Sequence, residues 1–462
     1  MQKLDDVTFI ILGATGDLAK RKLIPAFYEL VKNKKIGKFA VIGVARRDIG
    51  AKDVLAMSRK FIPRIEEAAW KSVQDASYYF QMDFNSSKGY FELGNFIQDV
   101  EDRHKLKGNR MFYLATMPEH FDVITSNLSK TRIARERKRK WSRIVYEKPF
   151  GWDLKSARSI NKEINRVFRE KQIYRIDHYL GKELVGDIAL MRFTNRILEP
   201  LWSNAHLDSV QIIMSEDIGL EGRAAYYDKY GALKDVVQNH GMQLLALTAM
   251  ESPKLIAGEH VRDKKADVLK KVKVKGAMLG QYEGYTKEAG VLKNSKTETF
   301  AALHLEINNK RWKGVPFYIK AGKYLDKKST GIHLKFKMVE CLLAQNCPAD
   351  TNYFTIRIAP DDGFAIELNS KVPGKKTLIV PVKMDFCEKC HFGPNTPEAY
   401  ETLLEDVING DQSVFVRNDE IEYSWRVIEG IKRGKVYKYP KGSRGPKEFE
   451  EWSAKHNLRW RA

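Results

Sequence analysis

Cysteine is scarce in this chain. Cys341, Cys347, Cys387 and Cys390 are the only four in 462 residues, too few for a disulfide framework to carry the fold. Cys387-Glu-Lys-Cys390-His391 has zinc-like spacing, but Cys341 and Cys347 stand too far apart for the usual second ligand pair, so inert thiols and no metal are expected. Long apolar runs are missing too. None approaches the roughly 20 residues that span a bilayer. The opening MQKLDD lacks the charged-then-apolar pattern of a secretory leader, so a cytoplasmic location without a membrane partner is the expectation. There is no internal repeat and no low-complexity tail. Acid is the last shortage: 59 Asp and Glu face 80 Lys and Arg, a formal charge of +21. Such an excess suits a nucleic-acid partner or the steering of phosphorylated substrates. The densest basic run, Lys130 to Arg143 (KTRIARERKRKWSR), comes with neither an RNA-binding sheet motif nor a zinc-finger spacing. It reads as a solvated connection before a short strand, and no nucleic-acid partner is expected.

What is present is a chain long enough for two or three domains at roughly 150 residues each. Val7 to Leu12 (VTFIIL) is an apolar, β-branched run that ends on Gly13-Ala14-Thr15-Gly16-Asp17-Leu18-Ala19-Lys20, after which Leu23, Ile24, Phe27 and Leu30 recur at helical spacing. Strand, glycine turn and helix form a setting for a pyrophosphate, since glycine admits the backbone closely and the first helical N–H groups face the anion. Thr15 takes the place of a glycine in the usual G-x-G-x-x-G string. The next strand pattern, Phe39 to Val44, ends on Ala45-Arg46-Arg47, where an NAD site would carry an acidic residue for the ribose. A guanidinium instead bonds a 2′-phosphate, so Arg46 favours NADP and leaves NAD use open. Further strand patterns at Tyr78 to Met82, Arg110 to Ala115 and Ile144 to Tyr146 alternate with helices, which predicts a doubly wound parallel sheet. The last runs into Glu147-Lys148-Pro149-Phe150-Gly151, and ligands of such sheets lie beyond the carboxyl ends of strands. Lys148 is therefore placed to touch coenzyme and substrate.

The densest chemistry lies in Tyr174 to Glu183, YRIDHYLGKE. If extended, the segment would point Asp177 and His178 to opposite sides. Gly181 permits a turn, and Lys182 would open a helix marked by Leu184, Ile188 and Met191. A histidine, a tyrosine and a lysine at a helix N-terminus make either a phosphate seat or an ordinary polar loop.

Beyond Leu184 the texture changes. A strand pattern at Ser209 to Met214 ends on Ser215-Glu216-Asp217, and a helix is expected from about Ala232 to Met250. In an α-helix Asp235 and Asn239 share a face, whereas His240 lies about 140° round from Asp235. From Thr299 the patterns are strands at hairpin spacing, which predicts an antiparallel sheet in an α+β domain, with helices at Pro397 to Ile408 and Glu420 to Ile431. The lysine-rich stretch Ser252 to Lys296 reads as a surface excursion.

Taken in order, these motifs resemble the glucose-6-phosphate dehydrogenase family. RIDHYLGKE is similar to its active-site signature, GATGDLAKRKL to its coenzyme turn and YEKPFG to its hinge and lysine loop. EGRAAYYDKYGALKDVVQNH, SKTETFAALHLEI, RWKGVPFYIKAGKYL and NGDQSVFVRNDEIEYSW extend the likeness from Gly13 to Pro446. The resemblance implies a Rossmann-like dinucleotide-binding domain over residues 1–176 and an α+β domain over 177–462, built on a large antiparallel sheet, for substrate binding and oligomerisation. It implies oxidation of glucose 6-phosphate at C1 to the 6-phosphogluconolactone, the first step of the oxidative pentose phosphate pathway, with NADP as hydride acceptor. His240 matches the general base and Asp177 the carboxylate that orients it. His178, Tyr179 and Lys182 match the phosphate-binding group, Lys148 a lysine that meets both substrate and coenzyme, and Glu216, Asp235, Lys323 and Lys328 the remaining substrate contacts. Gly13 to Lys20 and Arg46 match coenzyme-binding positions, and family precedent implies a homodimer or homotetramer. The runner-up readings are another sugar oxidoreductase with a Glu-Lys-Pro turn, and a basic nucleic-acid-binding relic of the fold.

Overall fold

In the computed structural model, which describes residues 3–339, 351–375, 378–392 and 398–461, the chain forms two compact units. The first comprises Met1–Glu183, Ala257–Arg262 and Pro397–Asn418, and the second the remainder. The expected division at 176/177 is contiguous in sequence, whereas here two later segments return to the first unit.

The first unit is organised by six parallel strands, β1 (Val7–Leu12), β2 (Phe39–Ala45), β3 (Ser77–Gln81), β4 (Arg110–Leu114), β5 (Ser142–Tyr146) and β6 (Ile173–Arg175), in the order β3-β2-β1-β4-β5-β6. That is the order of a doubly wound dinucleotide fold, with the reversal between β1 and β4. All of β1 is buried, as an unbroken apolar strand covered on both faces should be. Helix Ile24–Lys32 lays Phe27 on Phe9, ring centroids 5.1 Å apart. Leu403, Leu404 and Val407 of helix Ala399–Asn409 enter the same core, which explains why that distant segment belongs here. The basic run stays outside: Arg132, Arg135, Arg137, Lys138 and Arg139 are exposed, and Ile133 and Ala134 anchor it.

The second unit carries nine strands: β7 (Leu207–Ser215), β8 (Val272–Tyr282), β9 (Phe300–Ile307), β10 (Pro316–Gly322), β11 (Ser329–Phe336), β12 (Tyr353–Ala359), β13 (Gly363–Lys371), β14 (Ile379–Cys387) and β15 (Val436–Tyr439). Their order is β14-β13-β12-β11-β7-β10-β9-β8-β15. The sheet is mostly antiparallel, with parallel pairs β7–β10 and β8–β15. No helix among the described residues is long and apolar enough to cross a membrane.

Two expectations are corrected. Residues 252–296 are not a surface excursion, because they supply the eleven-residue strand β8 and helix Gly258–Leu269, whose Arg262 and Lys265 are fully buried. The charge misled, since Lys273 and Lys275 occupy the exposed alternate positions of β8 while Met278, Leu279 and Tyr282 are buried. Cys387 and Cys390 are not inert thiols but a disulfide. The chain passes from β14 into a short helix at Glu388, bringing the two Cα atoms to 5.2 Å, within bridging range. Cys341 and Cys347 lie outside the described residues.

Candidate active site

In the first unit, the turn after β1 forms as its glycines predict. Gly13 adopts φ +100°, and a Cβ there would lie 2.4 Å from the Ala115 carbonyl oxygen, so only glycine fits. Gly13 and Ala14 donate their N–H groups to the Val44 carbonyl at 2.8 and 3.2 Å, and Gly16 donates to Gly13 at 2.9 Å. Ala19–Leu23 winds as a π-helical turn that precedes helix Ile24–Lys32, with Lys20 beside Asp17 at 3.3 Å. Ala14 and Ala19 are buried, while Asp17 is exposed and Thr15 and Leu18 are half-buried. Arg46 is exposed just past β2, the position at which a ribose substituent would be met. A glycine cradle at the end of a buried parallel strand fits the pyrophosphate of a nicotinamide dinucleotide.

Lys148 follows β5 and is half-buried, and the Lys148–Pro149 peptide is cis. Its neighbour Glu147 accepts hydrogen bonds from the hydroxyls of Tyr113 at 2.6 Å and Tyr400 at 3.1 Å. Burial raises the Glu147 carboxyl above its ordinary value, against the lowering effect of both phenols and of Lys148. This half-buried anchor beside Lys148 has no signature in the sequence beyond its place in the E-K-P string.

The segment after β6 is a turn rather than an extended pair. The Tyr179 N–H donates to Asp177 Oδ1 at 3.0 Å and the Leu180 N–H to the Asp177 carbonyl at 2.9 Å, so Asp177 closes the turn with its own side chain. Asp177 is buried, with His178, Tyr179 and Lys182 half-buried. The Lys182 ammonium lies 4.5 Å from the centre of the Tyr179 ring, and that ring meets His178 edge-on at 5.2 Å. The three proposed phosphate ligands are thus brought together. At Gly181 a Cβ would lie 2.7 Å from the Ala399 carbonyl oxygen, so the turn needs glycine to pack against helix Ala399–Asn409. The helix begins at Glu183, one residue after Lys182. Upstream, fully buried Arg175 donates to Glu170 Oε1 at 2.8 Å and fixes the end of β6.

In the second unit, Asp235, Asn239 and His240 lie on one helical stretch, but its winding differs from expectation. Leu233–Gly241 is π-helical and passes into the α-helix Met242–Ala249. A π-turn bonds residues five apart, so Asp235 and His240 come onto the same side of the stretch instead of lying about 140° apart as in an α-helix. The Asn239 side-chain amide donates to the carbonyls of Lys234 and Asp235, both at 3.2 Å. Asp235 and His240 are both buried. The Tyr226 hydroxyl bonds Asp235, and burial first, then that carboxylate, raises the phenol's pKa. Behind the stretch, Arg192 and the Trp202 indole donate to the Thr248 carbonyl at 3.1 and 2.8 Å, and the Trp312 indole to Ala249 at 2.7 Å. These donors satisfy carbonyls that a helix end leaves open.

Glu216 and Lys323 each lie one residue past a strand, β7 and β10, and form an ion pair. Lys323 is buried and its ammonium faces the Tyr227 ring at 5.4 Å. Lys328 is exposed and lines, with Arg357, Lys383 and Arg461, a separate open cavity of about 470 Å³ beside β11 and β12.

A glycine-cradled nucleotide turn on a doubly wound sheet, and a buried histidine and carboxylate on one helical stretch, define a dinucleotide-dependent dehydrogenase. Residues 10–187 match the family model described as glucose-6-phosphate dehydrogenase, NAD binding domain, and residues 189–461 that of the C-terminal domain. The glucose-6-phosphate 1-dehydrogenase of Bacillus subtilis is 42% identical, the alignment covering 98% of this chain and 97% of that one. The cytoplasmic glucose-6-phosphate 1-dehydrogenase 5 of Arabidopsis thaliana is 37% identical, with 96% and 90% covered. A solved glucose-6-phosphate dehydrogenase in complex with its substrate glucose-6-phosphate superposes at a TM-score of 0.92, with 32% identity and both chains covered completely. This chain belongs to the glucose-6-phosphate dehydrogenase family.

Proposed function

We propose that the protein oxidises D-glucose 6-phosphate at C1 to 6-phospho-D-glucono-1,5-lactone, with NADP+ as coenzyme and NAD+ as an open second choice. The reading rests chiefly on the π-turn that carries buried His240 and Asp235 on one side, in a chain similar along its length to enzymes of that name. Bound at Gly13–Lys20 and Arg46, NADP+ supplies the hydride acceptor. His240 takes the proton of the C1 hydroxyl as the C1 hydrogen departs with its electron pair, which makes the C1–O double bond of the lactone. Asp177 is the orienting carboxylate of that proton transfer, following base-and-orienter logic. His178, Tyr179 and Lys182 hold the phosphate, Glu216, Asp235, Lys323 and Lys328 the rest of the sugar, and Lys148 both ligands. In functional terms residues 1–176 bind the dinucleotide, and 177–462 bind substrate and assemble.

We place the activity in the cytoplasm, and assembly as a dimer or tetramer through the large sheet. Leu368, Val380, Val382 and Met384 are exposed apolar side chains on β13 and β14. In the antiparallel register Leu368 lies opposite Val382, so the four share one face, a fitting surface for a second copy. The test of the base is His240→Asn, which should lower kcat by roughly 10²–10⁴-fold with little change in KM. Near-normal turnover, with the larger loss on Lys148 substitution, would favour a different sugar oxidoreductase.

A further inference from the structure

A helix that carries a base must be held at its start, where the first backbone N–H groups have no intrahelical partner. The stretch bearing Asp235 and His240 starts abruptly. Gly231 breaks the preceding helix at φ +66° and ψ −179°, and helical dihedrals resume at Ala232. The orphan N–H groups there are met by a residue more than sixty positions away. The Ala232 N–H donates to the Glu298 carbonyl at 2.9 Å, and the Leu233 N–H to Glu298 Oε1 at 3.2 Å. A Cβ on Gly231 would lie 2.6 Å from that same Oε1, so the glycine is the room the carboxylate needs. Glu298 is 2% exposed, and burial raises its carboxyl above the ordinary value although Arg433 and Lys234 oppose the shift.

The flanking threonines extend the hold. Thr297 Oγ1 donates to the Asp228 carbonyl at 2.6 Å, which secures the helix before the break. Thr299 accepts the Lys323 N–H on its carbonyl at 3.0 Å, and its hydroxyl meets the Tyr439 hydroxyl at 2.9 Å. Tyr439 in turn donates to the Lys323 carbonyl at 2.7 Å. Three consecutive residues therefore tie the helix before the break and the stretch of Asp235 and His240 to the backbone of Lys323. Glu298 is the member that acts through a side chain on the helix itself.

We propose that Glu298 is a positioning residue, capping the π-helical turn from outside and setting the rotation at which it presents Asp235 and His240. The proposal rests on the assignment of His240 as base. A side-chain oxygen is what the role requires, not a charge. Glu298→Gln should therefore retain kcat within about twofold of the parent, whereas Glu298→Ala, which leaves the Leu233 N–H without its acceptor, should lower kcat for glucose 6-phosphate roughly tenfold. KM for NADP+ should stay within about twofold in both variants, because the coenzyme turn belongs to the other unit.

The experiment is steady-state kinetics of the full-length protein and the two variants, alongside thermal melting. Loss of kcat in Glu298→Ala with rescue in Glu298→Gln supports the role. A folded Glu298→Ala with parental kcat overturns it, as does an equal loss in both variants, which would indicate a need for charge. If Glu298→Ala does not fold, Glu298→Asp takes its place: it keeps the charge, shortens the reach and should show the same loss, and parental kcat there overturns the proposal. A parallel His240→Asn control separates the two ideas, since full activity in that variant removes the base assignment whatever Glu298 does.

Discussion

Glu216 and Lys323 leave neighbouring parallel strands at the same level. Ser215 and Gly322 are the last register pair of β7 and β10, and the next residue of each strand contributes one side of the ion pair. The Glu216 N–H donates to the Gly322 carbonyl at 2.9 Å, and Leu325 returns a bond to Glu216 at 2.9 Å. The pair is thus fixed by the sheet itself rather than by a loop, at the carboxyl ends of parallel strands.

Lys323→Met should raise KM for glucose 6-phosphate by roughly 10–100-fold, the equivalent of about 1.5–3 kcal/mol for a hydrogen bond to a charged group. The melting temperature should fall only slightly, because Glu216 keeps 36% of its side-chain surface in water. Steady-state kinetics with a parallel melt reads both. A variant with unchanged KM would remove Lys323 from the substrate contacts.

Lys182→Met should raise KM for glucose 6-phosphate while leaving turnover of unphosphorylated glucose nearly unaltered. The ammonium lies over the Tyr179 ring, so the loss should exceed that for a freely solvated lysine. Comparison of the two sugars with parent and variant checks the phosphate seat. An equal loss with both sugars contradicts it.

A pH dependence of stability follows from Asp406 on helix Ala399–Asn409. Burial chiefly, then Asp411, Glu405 and Glu183, push its carboxyl up to about 8. The fold keeps this proton through a range in which the unfolded chain, with a carboxyl near 3.9, has released it. Stability must therefore fall as pH rises from about 4 to about 8. Asp406→Asn should flatten that slope and stabilise the protein at pH 8 by roughly 3 kcal/mol or less, at about 1.4 kcal/mol per unit discounted for partial exposure. Denaturant melts at pH 5 and pH 8 measure it, and parallel slopes for parent and variant would refute the assignment.

The legible parts of the molecule were those with local physical signatures. Val7–Leu12 followed by Gly13 announced a buried strand and a tight turn, because an unbroken apolar run and a residue free to adopt positive φ suit that local geometry. The chemistry of Tyr174–Glu183 was visible in its composition, although the Asx turn at Asp177 was not. The π-winding at 233–241 was hidden, since its apolar residues recur much as in an ordinary helix. Glu298 could not be found from sequence, because its acceptor role toward Leu233 joins residues 65 apart. Lys273 and Lys275 disguised β8 as surface chain, since a strand with one wet face shows charge at every second position.

The central claim is tested most directly by initial rates of nicotinamide reduction with NADP+, comparing glucose 6-phosphate with glucose at equal concentration. The account predicts rapid reduction with the phosphorylated sugar and a rate far lower with glucose. Equal rates, or none with glucose 6-phosphate under either NADP+ or NAD+, would contradict it.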